Sequence, residues 1–243
     1  MKTITINLPR SWEELTDKQL YYVYNLISDN LSLPQIKTLC FMRWGNLRVD
    51  GRVGDNYIII RGKDKFSVSH HLIADAIHSL DWINDSPATP VRISRIGGKE
   101  ALDASFYGVP YEKYLYLDNL YQGYLATQSH SLLEQMFQIL YDSQARPNKT
   151  EKISVFYWWC SLKSLFSRSF PHFFQSANTE NSPEENIHQK LKDAMNAQIR
   201  ALTKGDITKE AEVLKMDVWR ALTELDAIAY ENQELDRKYG KKM

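Results

Sequence analysis

Cysteine, net charge and long apolar runs are all scarce in this sequence. Only Cys40 and Cys160 occur among 243 residues. That number excludes a disulfide scaffold, and two distant thiols set among apolar neighbours read as buried groups of a reducing compartment. Lys+Arg and Asp+Glu both number 30, so the chain has no overall field to gather phosphates, and general nucleic-acid binding is disfavoured. Local basicity is confined to Arg237, Lys238, Lys241 and Lys242. The longest apolar stretch, 153–166, is interrupted by Ser154, Ser161, Lys163 and Ser164. It falls short of the roughly 20 residues a membrane span needs. Residues 1–7 alternate polar and apolar positions, which reads as a short strand rather than a signal peptide. A cytoplasmic protein is expected.

The familiar catalytic signatures are missing too. The sequence contains no Gly-x-Ser-x-Gly, no His-Glu-x-x-His and no Cys-x-x-Cys pair, so the common hydrolase and metal frames are absent. His71, Asp75 and His78 stand at i, i+4 and i+7 and would share one helical stripe, a geometry that suits zinc. That stripe lies opposite the apolar face of its helix, where polar residues belong in any case. Arg95-Ile96-Gly97-Gly98-Lys99 lacks the longer glycine frame of a P-loop, and Glu100 stands where Ser or Thr should be. A plain turn is expected there. No catalytic residue, cofactor or metal is therefore assigned, and a non-enzymatic role is expected.

What is present is architecture. With 43% hydrophobic and 25% charged residues, the chain has the composition of a globular fold. Thr16 to Gln19 and Ser32 to Gln35 are Ser/Thr-x-x-Gln capping boxes, which open helices running to about 28 and about 44. Residues 47–68 hold β-formers separated by Asp50-Gly51, Gly54-Asp55-Asn56 and Gly62, the pattern of a small antiparallel meander. A helix is expected over about 69–83, with Ile73, Ala76, Ile77 and Leu80 facing the core, and a strand over 91–96. Residues 111–141 are helical with a break near 127–131. Five of the 14 tyrosines fall between Tyr111 and Tyr124. They occur with one lysine and two acidic residues, so core packing with hydroxyls at the edge is expected rather than a nucleic-acid stacking platform. A helix over 153–166 is apolar nearly all round, as a buried element should be. The aromatic run that ends at Phe174 reads as core rather than as an interfacial membrane helix.

Residues 176–186 are polar, carry Pro183 and read as a linker. Beyond them Ile187, Leu191, Ala194, Met195, Ile199 and Leu202 form a helical stripe that ends at Lys204-Gly205. A heptad run follows: Ala211, Leu214, Val218, Ala221, Leu225 and Ile228, continued by Asn232 and Leu235. Read as one long helix, it pairs with its predecessor as an antiparallel hairpin and overhangs it by two to three turns, so that residues after about Ala227 project uncovered. Met216 and Trp219 lie off the stripe. They are either exposed contact residues or groups packed back onto the first domain.

The segments 205–210 (GDITKE) and 219–226 (WRALTELD), the peptide Leu120-Tyr121-Gln122-Gly123-Tyr124, and the opening 8–16 (LPRSWEELT) resemble uncharacterised proteins of Bacteroidota prophages. Such proteins lie among tail-morphogenesis genes, where long-tailed phages place tail-assembly chaperones. The resemblance implies a tail-assembly or minor structural role and transfers no functional residue.

The resulting expectation is a mainly α, α+β fold. It has a mixed helical and small-sheet domain over 1–175, a linker over 176–186 and an α-hairpin over 187–243. Its expected partner is a protein, either another phage tail component or a second copy of the chain. The expected contact residues are Leu214, Val218, Trp219, Leu225, Ile228, Asn232 and Leu235, with Asn232 fixing register. The alternative is a regulatory or nucleic-acid-associated protein of the same mobile element that uses its basic C-terminal tail. A metal-dependent enzyme built on His71 and His78 is the remote reading.

Overall fold

The structure, a computed structural model, describes residues 5–176 and 187–239. Most of the helix starts are written into their first four residues. Helix α1 (Asp17–Ser28) opens on Thr16 and α2 (Leu33–Trp44) on Ser32, each in a capping box closed by the glutamine three residues on. These boxes satisfy N–H groups that no helical carbonyl can reach.

Strands β1 (Arg48–Val53), β2 (Asn56–Arg61) and β3 (Asp64–Ser69) form an antiparallel meander in the order β1-β2-β3, with a bulge between Val49 and Gly51. Gly54 and Gly62 supply the positive φ of its two tight turns. Ile59 is the sheet's one fully buried residue, so the meander lies at the margin of the molecule.

Helix α3 (His70–His78) is shorter than the pattern implies and is followed by a 3-10 turn at Asp81–Asn84. The strand expected over 91–96 is reduced to β4 (Arg95–Ile96), which pairs with β5 (Lys99–Glu100) across Gly97-Gly98. Side chains take the backbone groups that a neighbouring strand would need. The Asp17 carboxylate accepts from Ser94 N and Arg95 N, and Ile93 O accepts from the Tyr141 hydroxyl at 2.8 Å. Residues 5–7 are not strand, and 1–4 lie outside the described residues.

Helices α4 (Tyr111–Thr127) and α5 (His130–Leu140) are separated where Gln128 turns left-handed at φ 55°. Helix α6 (Lys149–Ser169) opens on an Asn148–Glu151 capping box, and α7 (Pro171–Ser176) begins with proline, whose missing N–H costs nothing at a first turn. Helix α8 (Ile187–Thr203) stops at Lys204-Gly205, both at positive φ, with Gly205 N donating to Arg200 O at 3.1 Å.

The C-terminal helix is broken. Helix α9 (Glu210–Lys215) ends at Met216, which is extended (φ −60°, ψ 148°), and α10 (Val218–Tyr239) begins afresh. The cause is an antiparallel bridge between Asp217 and Pro110: Tyr111 N donates to Met216 O at 2.8 Å and Val218 N to Val109 O at 3.0 Å. Asp217 then does two jobs. Its Oδ2 accepts from Gly108 N at 2.7 Å, and its Oδ1 caps α10 by accepting from Trp219 N at 2.9 Å. Asp217→Ala should therefore cost about 1–2 kcal/mol, a fall of roughly 2–8 °C in melting temperature. Asp217→Asn should recover part of the loss in the same thermal melt, and an unchanged Asp217→Ala melt would show that the bridge holds without its cap.

The described residues form a mainly α, α+β fold around two apolar cores. The first joins Trp12, Tyr24, Ile36, Phe41, Leu80 and Ile93. The second runs from Phe106 through α4, α5 and α6 to Val213, Val218, Leu222 and Leu225. Helix α6 serves both, which explains its apolar girth: Trp158, Trp159, Leu162 and Phe166 enter the second core, while Ile153 packs against the first. Tyr157 of α6 stacks on Tyr24 of α1 at 5.9 Å.

These contacts correct the proposed division of the chain. Residues 213–225 belong to the same core as 106–170, so 187–239 is not an appendage of a domain ending at 175. Burying the apolar face of α10 against α4, α6 and α7 outweighs any separate hairpin core. Of the linker expected at 176–186, residues 177–186 lie outside the described residues.

Candidate interaction surfaces

Of the seven contact residues expected from the heptad run, four are used up inside the fold. Val218 is fully buried, Leu225 is 4% exposed, and Leu214 packs partly buried against the same core. Trp219 is half-buried and held by three rings and a hydrogen bond. Its ring stacks on Tyr107 at 4.8 Å and meets Phe166 and Phe170 edgewise or tilted at 5.4 Å, and its Nε1 donates to Ser105 O at 2.8 Å. It is a packing residue, not a partner's anchor. The helix breaks at the extended Met216, and Val218 and Leu225 beyond the break enter the second core.

The remaining three lie further along α10. Helix α7, which the sequence pattern did not separate from α6, clamps one face of α10. Phe173 N donates to Asp226 Oδ1 at 2.9 Å, the His172 ring meets Tyr230 at 4.9 Å, and Gln233 Nε2 donates to His172 O at 3.3 Å. Pro171 after a long apolar helix was the one signal that could have announced α7. Ile228 is half-buried, Asn232 is exposed, and Leu235 and Tyr239 are 51% and 68% exposed. Ile228, Asn232, Leu235 and Tyr239 fall on one helical stripe, whose outer half has nothing over it among the described residues.

A second surface was not foreseen. Between α1, α2, α6 and the loop after the 3-10 turn lies a cleft of about 420 Å³. Trp12, Tyr24, Ile36 and Ile83 form its floor, and the half-exposed Leu33 and Tyr157 form its lips. The loop is fixed in place because Trp12 Nε1 donates to Asp85 O at 2.8 Å. Asp85 is the one charged residue among those lining the cleft. Its parts come from four separate segments, so no local pattern could reveal it.

The groups weighed for chemistry are engaged elsewhere. His78 Nδ1 lies 3.0 Å from the Asp81 carboxylate, which Lys37 also contacts, and these hydrogen bonds hold the Asp81 carboxyl below its ordinary value. His71 sits ring to ring with His70 at 3.8 Å. Among the described residues no three His, Cys, Asp or Glu side chains come together as a metal cage. Burial pushes the Cys40 thiol up to about 12 and raises Cys160 as well, so neither is poised as a thiolate. Cys160 is only half-buried, contrary to expectation, because it lines the cleft and touches the Tyr121 hydroxyl at 3.5 Å.

The tyrosines of α4 split by face. Tyr111 and Tyr114 are buried, with the Tyr111 hydroxyl donating to Gln198 Oε1 at 2.6 Å and the Tyr114 hydroxyl accepting from Lys163 Nζ at 3.2 Å, while Tyr116 is exposed. Lys163 also pairs with Asp118 at 2.9 Å. This half-buried knot joins α4 to α6.

No helix among the described residues is long and apolar enough to cross a membrane. No protein-family model matches the sequence, and comparison with curated proteins and with solved structures returns no match.

Proposed function

We propose that the protein is a non-enzymatic tail-assembly or minor structural protein of a prophage, acting in the host cytoplasm and holding another protein through the free end of α10. The observation that carries the reading is the stripe of Ile228, Asn232, Leu235 and Tyr239, which runs out past α7 with its last two apolar members exposed. An apolar stripe at helical spacing on an otherwise polar helix is the form in which helices enter the grooves of other proteins. Leu214, Val218, Trp219 and Leu225 have no part in it, since they are core. The likeness of 205–210, 219–226 and the opening segment to prophage tail-region proteins supports the tail setting.

Co-expression with the product of each gene beside its own, followed by co-purification, tests this. One of them should co-purify with the full chain and be lost with Leu235→Glu/Tyr239→Glu, while the melting temperature stays within about 4 °C because surface changes of this kind each alter stability by less than about 0.5 kcal/mol. The complex should survive high salt, because apolar contact is not screened. Binding that persists in the double variant, or that switches to nucleic acid and collapses steeply with salt, would overturn the reading.

A further inference from the structure

We propose that α8 is a hinged cover over α4, which opens at Lys204-Gly205 while the second core stays folded. Its packing differs from that of the helices around it. Among its described side chains Thr203 alone is fully buried, whereas α4 buries six residues and α6 eight. Met195, Ile199, Ala201 and Leu202 face the second core but are only partly buried against it. Two side-chain hydrogen bonds hold α8 to α4 among the described residues: the Tyr111 hydroxyl donates to Gln198 Oε1 at 2.6 Å, and Asn119 Nδ2 donates to Met195 Sδ at 3.7 Å. A thioether is a weak acceptor, so Tyr111 is the firm catch.

The connection to the rest of the chain allows the movement. Lys204 and Gly205 are left-handed at φ 52° and 82°, and every residue over 204–212 is exposed before Val213 enters the core. Val218, Ala221, Leu222 and Leu225, the anchors of α10, all follow that connector, so α8 can lift without withdrawing them. On α4 it would uncover the Tyr111 hydroxyl and the Asn119 amide, groups that water can satisfy. Opening therefore orphans no hydrogen-bonding group there, and the apolar side chains that α8 withdraws are already part-exposed. Elements with few buried apolar contacts open locally, below the free energy of global unfolding.

Native-state hydrogen exchange of the full chain tests this. Amides over 191–202 should show protection on the order of a hundredfold below those of α4 and α6. Low urea, whose effect scales with the surface exposed on opening, should speed exchange in α4 and α6 more than in α8. Val155→Ala separates the two processes, because Val155 is fully buried on α6 while α8 packs on α4, α9 and α10. That variant should lower protection in α4 and α6 by about fivefold or more and leave that of α8 unchanged. Tyr111→Phe, which removes the catch, should lower protection in α8 by about fivefold. Protection in α8 equal to that in α4 and α6, a shared urea dependence, or a parallel fall in Val155→Ala would each mean that α8 opens only with the core, and would overturn the proposal. Amides of α8 indifferent to Tyr111→Phe would overturn it too, since the helix would then fray in place rather than lift from α4.

Discussion

A chain ending at Asp217, and so lacking α10, is expected not to fold. Helix α10 places Val218, Ala221, Leu222 and Leu225 in the second core, each no more than 4% exposed, and adds Trp219 against Tyr107, Phe166 and Phe170. Burying one large aliphatic side chain is worth about 1.5–3 kcal/mol, and a domain's net stability is only about 5–15 kcal/mol. Removing the whole face exhausts that margin. The single substitution Trp219→Ala grades the same effect: a loss of about 3–5 kcal/mol, or roughly 6–20 °C in melting temperature for a chain of this size. Truncation after Gln233 should leave the melt nearly unchanged, because α7 makes its outermost contact with α10 there. Near-UV circular dichroism reads all three chains. A cooperative, native-like melt from the chain ending at Asp217 would mean that α10 is an appendage after all, and would reinstate the boundary near 176–186.

The chain should also unfold steeply in alkali. Tyr24, Tyr111, Tyr114 and Tyr141 are each at most 2% exposed, and desolvation raises all four above the ordinary tyrosine value of 10. Cys40 is pushed from 9 to about 12 by the same cause. The sign follows from proton counts. Below the unfolded-state values both states hold these protons and folding is unaffected. Above them the unfolded chain releases protons that the folded chain keeps, so stability falls as pH rises from about 9–10 towards the raised folded-state values. Each group adds about 1.4 kcal/mol per pH unit. Four tyrosines together give a slope of about 5–6 kcal/mol per unit, enough to exhaust an ordinary stability about one to three units above pH 10. Tyrosinate absorbance near the alkaline transition should therefore appear as a cooperative step coincident with loss of the far-UV helix signal. Gradual tyrosinate formation at ordinary tyrosine pH, with the fold intact, would contradict the burial of these hydroxyls. Tyr111→Phe should shift the step only slightly, because it also removes the bond to Gln198.

Much of the local structure was legible. The capping boxes at Thr16 and Ser32, the Gly54 and Gly62 turns, the break between α4 and α5 and the Gly205 stop each depend on residues within about five positions of one another, so the code for them is contiguous. The free stripe ending in Leu235 was legible for the same reason, since a helix face is a periodicity. Its inner neighbours were misassigned: periodicity says that Val218 and Leu225 face something, and cannot say whether that something is the chain itself.

By itself the sequence determined a mainly α, α+β fold with a small meander, and an apolar stripe carried to the end of α10. Tertiary structure alone decided where the stripe is covered and where the cleft opens. The break at Met216 has no glycine or proline to announce it; it exists because Asp217 meets Gly108 across 109 residues of chain and the Pro110 strand segment takes the backbone bonds of the next turn. The cleft depends in the same way on Trp12 reaching Asp85 across 73 residues. Buried backbone groups must find partners wherever the packed chain offers them, and that supply is a property of the whole fold rather than of any window of sequence.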